Sequence, residues 1–197
     1  VEYLSEALMS GECKLTKLSL DGNRLSDAAA ECLRKVLKSG NCKLTELHLN
    51  DNELTDAGVE YLSEALMSGE CKRTKLSLSV NGLSFKAATY LRDALKSGNC
   101  ELTELNLNDN QLTDAGVEFL SEALMSGECK LTKLFLRGNE LSDAASEYLR
   151  DVLKSGNCKL TELHLNDDEL TDAGAKNLGE ALMSCKCKLT KSSKSGN

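Results

Sequence analysis

The chain has no proline and no tryptophan, and only two of its 197 residues are histidine. No apolar run approaches the ~20 residues that a bilayer-spanning helix needs, which argues against a membrane role. Lysine and arginine (24) are outnumbered by aspartate and glutamate (31), so the basic stripe that a nucleic-acid partner requires is missing. Neither GxxxxGK[ST] nor GxGxxG occurs, and a phosphate-binding loop is therefore not indicated.

Cysteine, by contrast, is abundant and regularly spaced. Seven of the nine cysteines recur every 29 residues, at 13, 42, 71, 100, 129, 158 and 187. Nearly the same phrase follows each of them, as in CKLTKLSLDGNRL at 13 and CKLTELHLNDNEL at 42. A period of this size is typical of stacked-repeat proteins, whose units bury their apolar faces against one another. The repeat favours a binding scaffold over an enzyme.

The array boundaries follow from the same repeat. VEYLSEALMSGEC at 1–13 is identical to 59–71, so the chain begins in the middle of a repeat. The leucine pattern is lost near the other end. We expect one repeat array over residues 1–190 and a polar C-terminal tail over 191–197.

Each unit combines a strand, a turn and a helix. Leu18 and Leu20 alternate as in a short strand, and Ala30, Leu33 and Val36 keep helical spacing. Strand–helix–parallel strand connections are right-handed, and helices are wider than strands. The prediction is a right-handed α/β solenoid of six full strand-bearing units plus partial ends, with parallel strands on the concave face and helices on the convex face.

Two polar positions of the unit have predicted roles. An asparagine recurs in the turn, where an inward amide can bond the backbone of its own and the adjacent repeat. Its copies are Asn23, Asn52, Asn81, Asn110 and Asn139, and the sixth turn has Asp168 instead. At the start of the helix, Ser26 or Asp27 is expected to serve as the N-cap.

The regular cysteines are interpreted as a ladder of small buried thiols. A thiol-rich core fits a reducing compartment, so a cytoplasmic location is expected. CKC at 185–187 is not the CxxC spacing of metal sites. No metal or cofactor is expected.

Outward strand positions define the candidate binding surface. Their first column alternates lysine and glutamate on neighbouring strands, which predicts a self-neutralising surface. Phe135 and Arg137 depart from the serine, histidine or asparagine of other repeats, and an aromatic beside an arginine is the kind of pair that dominates interface energy. The expected polar rim of this protein-binding site consists of Glu104, Asn106, Asn108, Glu162, His164 and Asn166.

Catalytic residues are not predicted. His48 and His164 are four repeats apart, roughly 19 Å by strand spacing, and are too distant to share a metal or substrate. Ser77 is one strand from His48 but has only the exposed Glu46 as an acid to orient the histidine.

The third repeat departs most widely from the others. Arg73 replaces a leucine, Ser79-Val80 replaces the usual turn residues, and Phe85-Lys86 replaces Asp-Ala at the start of the helix. Two interpretations remain open: sequence drift, or a special loop surface.

The phrase LxxLxLxxNxL, present as Leu44-Leu47-Leu49-Asn52-Leu54 and followed by TDAGVEYLSEAL, resembles the leucine-rich repeats of the ribonuclease-inhibitor type. These repeats also form the C-terminal domains of NOD-like receptors. The resemblance implies the recognition domain of a cytosolic innate-immune receptor. One alternative is a free ribonuclease-inhibitor-like or engineered consensus scaffold, and the lack of proline is compatible with an engineered array. The other alternative is a GTPase activator of the Ran-activator type, with Arg137 as its arginine finger.

Overall fold

The computed structural model describes residues 2–72, 74–165, 169–184 and 186–193. Arg73, Asn166 and Asp168 lie outside the described residues. Within them, seven helices alternate with seven strands. The helices are α1 (Glu2–Met9), α2 (Asp27–Lys38), α3 (Asp56–Met67), α4 (Phe85–Lys96), α5 (Thr113–Met125), α6 (Asp143–Lys154) and α7 (Asp172–Leu182). The strands are β1 (Lys17–Ser19), β2 (Glu46–His48), β3 (Lys75–Ser77), β4 (Glu104–Asn106), β5 (Lys133–Phe135), β6 (Glu162–His164) and β7 (Lys191–Ser193).

The strands form one parallel sheet in sequence order from β1 to β7. Each residue pairs with its equivalent in the next repeat, as Lys17 pairs with Glu46 and Glu46 with Lys75. Equivalent side chains are therefore about 4.8 Å apart along a row, whereas packed helices need about 8–10 Å. This difference bends the array with its strands inside, and the predicted α/β solenoid is confirmed.

The last strand lies in the segment whose composition predicts a polar tail. Lys191–Ser193 pair with β6, and Ser192 stands opposite Leu163 where the other strands have leucine. The backbone amides of Thr190 and Lys191 donate to Thr161 O at 2.8 and 3.1 Å. Backbone pairing needs no leucine, so the sheet continues into this segment; residues 194–197 lie outside the described part of the chain.

The core consists of leucine rows between the sheet and the helices. In the fourth repeat, Leu105 and Leu107 point inward from the strand and Leu120 packs from α5, each at most 1 % exposed. Burying such a side chain stabilises the fold by about 1.5–3 kcal/mol. Because every repeat contributes the same positions, the core is continuous along the array.

A second continuous feature is the asparagine ladder in the turns. Asn110 Oδ1 accepts from the amides of Asn81 and Leu83, both at 3.1 Å. Its Nδ2 donates to Leu78 O in the preceding repeat and to Leu107 O in its own. The predicted role of the inward asparagine is confirmed.

Aspartates at the helix starts form another ladder. The N-cap of α2 is Ser26, one of the two expected residues, and its side chain makes no capping hydrogen bond. Asp27 does not cap its own helix; its carboxylate accepts from the amide of Thr55 at 2.8 Å and from Thr55 Oγ1 at 2.6 Å, one repeat further on. Thr55 in turn caps α3 by accepting from the amide of Ala57. We call this the Asp–hydroxyl ladder; its other pairs are Asp56–Ser84, Asp114–Ser142 and Asp143–Thr171.

Candidate interaction surface

The open sheet face is the surface formed by the outward side chains of the strands and of the residues just after them. Its first row is a chain of ion pairs. Glu46 lies 3.6 Å from Lys17 Nζ and 3.3 Å from Lys75 Nζ. Glu162 lies 3.1 Å from Lys133 Nζ and 3.6 Å from Lys191 Nζ. The predicted pairing of neighbouring charges is confirmed.

These lysines also act on the acids that they contact. A hydrogen bond from Lys133 holds the pKa of Glu162 below its usual value, and Lys75 does the same for Glu46. Both glutamates are therefore ionised and already neutralised within the surface. They are weak attractants for a cationic partner.

The second row brings an aromatic pair together. Phe135 on β5 stands between Asn106 and His164 in the strand register. The rings of Phe135 and His164 stack with centroids 4.6 Å apart and planes inclined by 20°. Both residues are half-buried, so the pair forms a flat, partly accessible apolar platform of the kind that aromatic anchors provide.

The third row fixes Arg137 by its backbone. The amide of Arg137 donates to Asn108 Oδ1 at 2.9 Å, and the amide of Asn108 donates to Asn106 Oδ1 at 3.0 Å. The guanidinium of Arg137 is half-exposed, with Nε 3.9 Å from Asp109 Oδ1. The oxygens of Asn106 and Asn108 are thus engaged, while among the described residues no hydrogen bond uses their Nδ2 atoms. These amide groups remain as donors on the surface.

Most of the expected site residues therefore lie together. Glu104 is at the margin, with its carboxylate 3.9 Å from Lys75 Nζ. Asn166 lies outside the described residues, so its expected place in the rim stays a prediction. Lys133, Lys191 and Asp109 border the site but do not figure among its expected residues. The alternation of the first column signals the lysines, while nothing in the sequence signals the contact of Asp109 with Arg137.

An internal counterpart shows what is special about this position. CKLTELHLND occurs at both 42 and 158, and His48 Nε2 lies 3.7 Å from Glu46 Oε2 as His164 Nε2 lies 3.8 Å from Glu162 Oε2. The strand before His48 carries Ser19, however, where the strand before His164 carries Phe135. The aromatic stack thus distinguishes the second copy. Four strand steps separate the two histidines, as predicted.

The cysteine ladder lies beneath the open sheet face, and its buried thiols have low reactivity. Cys71, Cys100, Cys129 and Cys158 are buried thiols. Burial raises the pKa of Cys100 and of Cys129 to about 11. Only the thiolate is a nucleophile, so these groups act as packing residues.

We expect the buried thiols to resist alkylation. At pH 8, iodoacetamide should label Cys100 and Cys129 at least about tenfold more slowly than the partly exposed Cys13 and Cys32, because a raised pKa lowers the thiolate fraction. Mass spectrometry of peptides over a labelling time course measures the rates. The same chain in denaturant is the control, and equal rates in the native chain would contradict a buried ladder.

The described part of the chain holds no group of three or more histidine, cysteine, aspartate or glutamate side chains placed to bind a metal ion. Its helices include none that is long and apolar enough to cross a bilayer.

Comparison with known proteins agrees with this geometry. A family model described as "Leucine Rich repeat" matches residues 12–33, 40–63, 98–121 and 156–179, just under half of the chain. A search of the curated proteins finds no match.

Among solved structures, an internalin (inlF) from Listeria monocytogenes str. 4b F2365 is similar over 100% of this chain, with a TM-score of 0.62 and 20% identity. The chain spans only 51% of that internalin. Leiomodin-1 Actin-Binding Site 2 is similar over 90% of this chain and 87% of its own length, with a TM-score of 0.46 and 13% identity. The repeat match, the parallel sheet and the internalin likeness agree that this chain is an α/β solenoid of leucine-rich repeats.

Proposed function

We propose that the chain is a non-catalytic protein-interaction scaffold whose partner docks on the open sheet face, with the Phe135–His164 stack as its anchor. The stack carries the proposal, because a half-buried aromatic platform on an otherwise polar surface offers desolvation energy that the neighbouring repeats lack. Leucine-rich repeats present such a surface without any catalytic group.

The polar groups around the stack define the chemistry of the partner. Arg137 offers a half-exposed guanidinium, and Asn106 and Asn108 offer amide donors. The two acids beside these donors are both next to a cation: Glu162 lies 3.1 Å from Lys133 Nζ, and Asp109 lies 3.9 Å from Arg137 Nε. Donors therefore predominate at this position, and the proposed partner presents an apolar side chain flanked by carboxylates or backbone carbonyls.

The wider setting rests on the resemblance of the repeats. Their phrase LxxLxLxxNxL with TDAGVEYLSEAL supports the repeat domain of a larger, NOD-like-receptor-type protein, and the buried thiols support a cytoplasmic location. A GTPase activator would need Arg137 as its arginine finger. An Arg137→Ala variant with an unchanged GTPase rate would eliminate that alternative.

We expect Phe135→Ala to weaken partner binding by more than about 1 kcal/mol, because it removes the larger ring of the stack. Partners captured on the immobilised wild-type chain are identified, and the affinity of each is then measured by calorimetry. His48→Ala is the matched control, since His48 has the same Glu and Lys neighbours without an aromatic beside it. A partner that binds Phe135→Ala as tightly as the wild type would reject the site.

A further inference from the structure

The connection between β3 and α4 carries two exposed apolar side chains. Val80 lies just after the strand and Phe85 is the first residue of the helix. Their exposed fractions are 46% and 41%. Both are on the turn edge of the array, where strands lead into helices, and thus apart from the Phe135–His164 stack on the open sheet face.

Val80 has an unfavourable backbone conformation. Its φ is 55°, and the equivalent residues of the other repeats also have positive φ: Gly22 (68°), Asp51 (51°), Asp109 (53°) and Gly138 (63°). Glycine and aspartate tolerate this region, whereas a β-branched residue is a real outlier there. Valine is therefore conformationally unfavourable at position 80, where the equivalent positions of the other repeats have residues that tolerate positive φ.

Phe85 is also a poor choice for the fold. It replaces the aspartate of the Asp–hydroxyl ladder. The amide and hydroxyl of Thr113 in the next repeat therefore have no carboxylate at position 85 to which they can donate. Thr113 adopts φ 57°, and its amide donates to Asn139 O at 3.0 Å instead. A second β-branched residue is thereby held in the left-handed region. Two unfavourable residues in one connection indicate selection for something other than stability.

The charges beside the pair indicate what it would bind. In the strand register Val80 lies between Asp51 and Asp109, and Phe85 occupies the row of Asp56 and Asp114. Both rows thus read acid, apolar, acid. Asp51 and Asp109 are exposed, and Asp109 lies 3.9 Å from Arg137 Nε. Asp56 and Asp114 accept from the hydroxyls of the next repeats.

Lys86 is the exposed basic residue of this connection. The four carboxylates outnumber Lys86 and the Arg137 that contacts Asp109, so the surroundings of the two apolar side chains are acidic. We propose that the β3–α4 connection is a second docking surface, and that its occupant is a basic protein segment whose apolar side chains contact Val80 and Phe85. Charge complementarity and desolvation of the apolar pair act together there.

The double variant V80D/F85D tests this proposal. It installs the residues that neighbouring repeats carry, so the fold is preserved. The probe is a short fluorescein-labelled peptide in which two separated leucines are flanked by lysines, and its binding is followed by fluorescence anisotropy. We expect the double variant to bind about tenfold more weakly than the wild type.

Whether the double variant binds the peptide more weakly or more tightly than the wild type separates the proposed surface from non-specific electrostatic attraction. The wild-type chain has a net charge of -7, and the double variant is more acidic, so purely electrostatic binding would become tighter. Equal or tighter binding by V80D/F85D, or no binding by the wild type, would overturn the proposal. A peptide with serines in place of the leucines should bind the double variant at least as tightly as the wild type. Phe135→Ala should bind the leucine peptide like the wild type, which makes this surface independent of the one on the open sheet face.

Discussion

Asn139→Ala is expected to lower the free energy of unfolding by about 3–4 kcal/mol, since an unsatisfied buried polar group costs about 1–3 kcal/mol. Asn139 is completely buried. Its Nδ2 donates to Leu107 O and Leu136 O at 2.9 Å each and to Arg137 O at 3.2 Å, and its Oδ1 accepts from the amide of Leu112 at 3.3 Å. Alanine removes the partners of Leu136 O and of the Leu112 amide where water does not reach. Leu107 O keeps its bond from Asn110 Nδ2, and Arg137 O keeps its bond from the amide of Asp109.

The matched control is the exposed first member of the same ladder. Asn23 Nδ2 donates to Asp21 O within its own turn, where water can replace the bond. Asn23→Ala should therefore cost less than about 1 kcal/mol. Urea unfolding followed by circular dichroism measures both variants. Similar losses for the two asparagines would show that the ladder does not derive its strength from burial.

Asp114→Ala is expected to cost about 2–3 kcal/mol, because it removes the acceptor of the Ser142 amide and hydroxyl at the start of α6, while the amide of Ala145 keeps Ser142 O. The carboxylate of Asp114 accepts from the amide of Ser142 at 2.9 Å, from Ser142 Oγ at 2.6 Å and from the amide of Ala145 at 3.2 Å. The change removes a tie between two repeats, so we expect the loss in urea unfolding to be accompanied by faster amide exchange in α6. An unchanged midpoint would contradict this role.

The opposite change provides the control. Phe85→Asp supplies the missing member of the Asp–hydroxyl ladder and allows Thr113 to leave its left-handed conformation. We expect it to stabilise the chain by about 1–2 kcal/mol. A loss of stability would mean that the ring of Phe85 contributes more than the missing carboxylate.

The fold was predictable because the period of the sequence is the period of the structure. The leucines of one repeat indicate which face of the strand is inward. The constant spacing of 29 residues predicts that Glu46 pairs with Lys75, as it does in the sheet. The asparagine ladder follows in the same way. Its members need only be inward and in register, and both conditions can be read from the sequence.

The contacts that could not be predicted depend on side-chain conformation, which the repeat pattern does not determine. Asp27 looks like a cap, but its carboxylate crosses to Thr55 in the next repeat. His164 is expected in the rim, but its ring stacks on Phe135. The strand at Lys191–Ser193 was hidden for another reason, since backbone pairing leaves no mark in side-chain composition.

The alternation of lysine and glutamate in the first row has a consequence for errors between near-identical repeats. If pairing skipped one repeat, Lys17 would face Lys75 and Glu46 would face Glu104, and like charges on adjacent strands are destabilising. A skip of two repeats restores lysine beside glutamate. Pairing errors and deletions that remove two repeats should therefore be less destabilising than those that remove one. The charge row thus favours solenoids whose length changes by an even number of repeats.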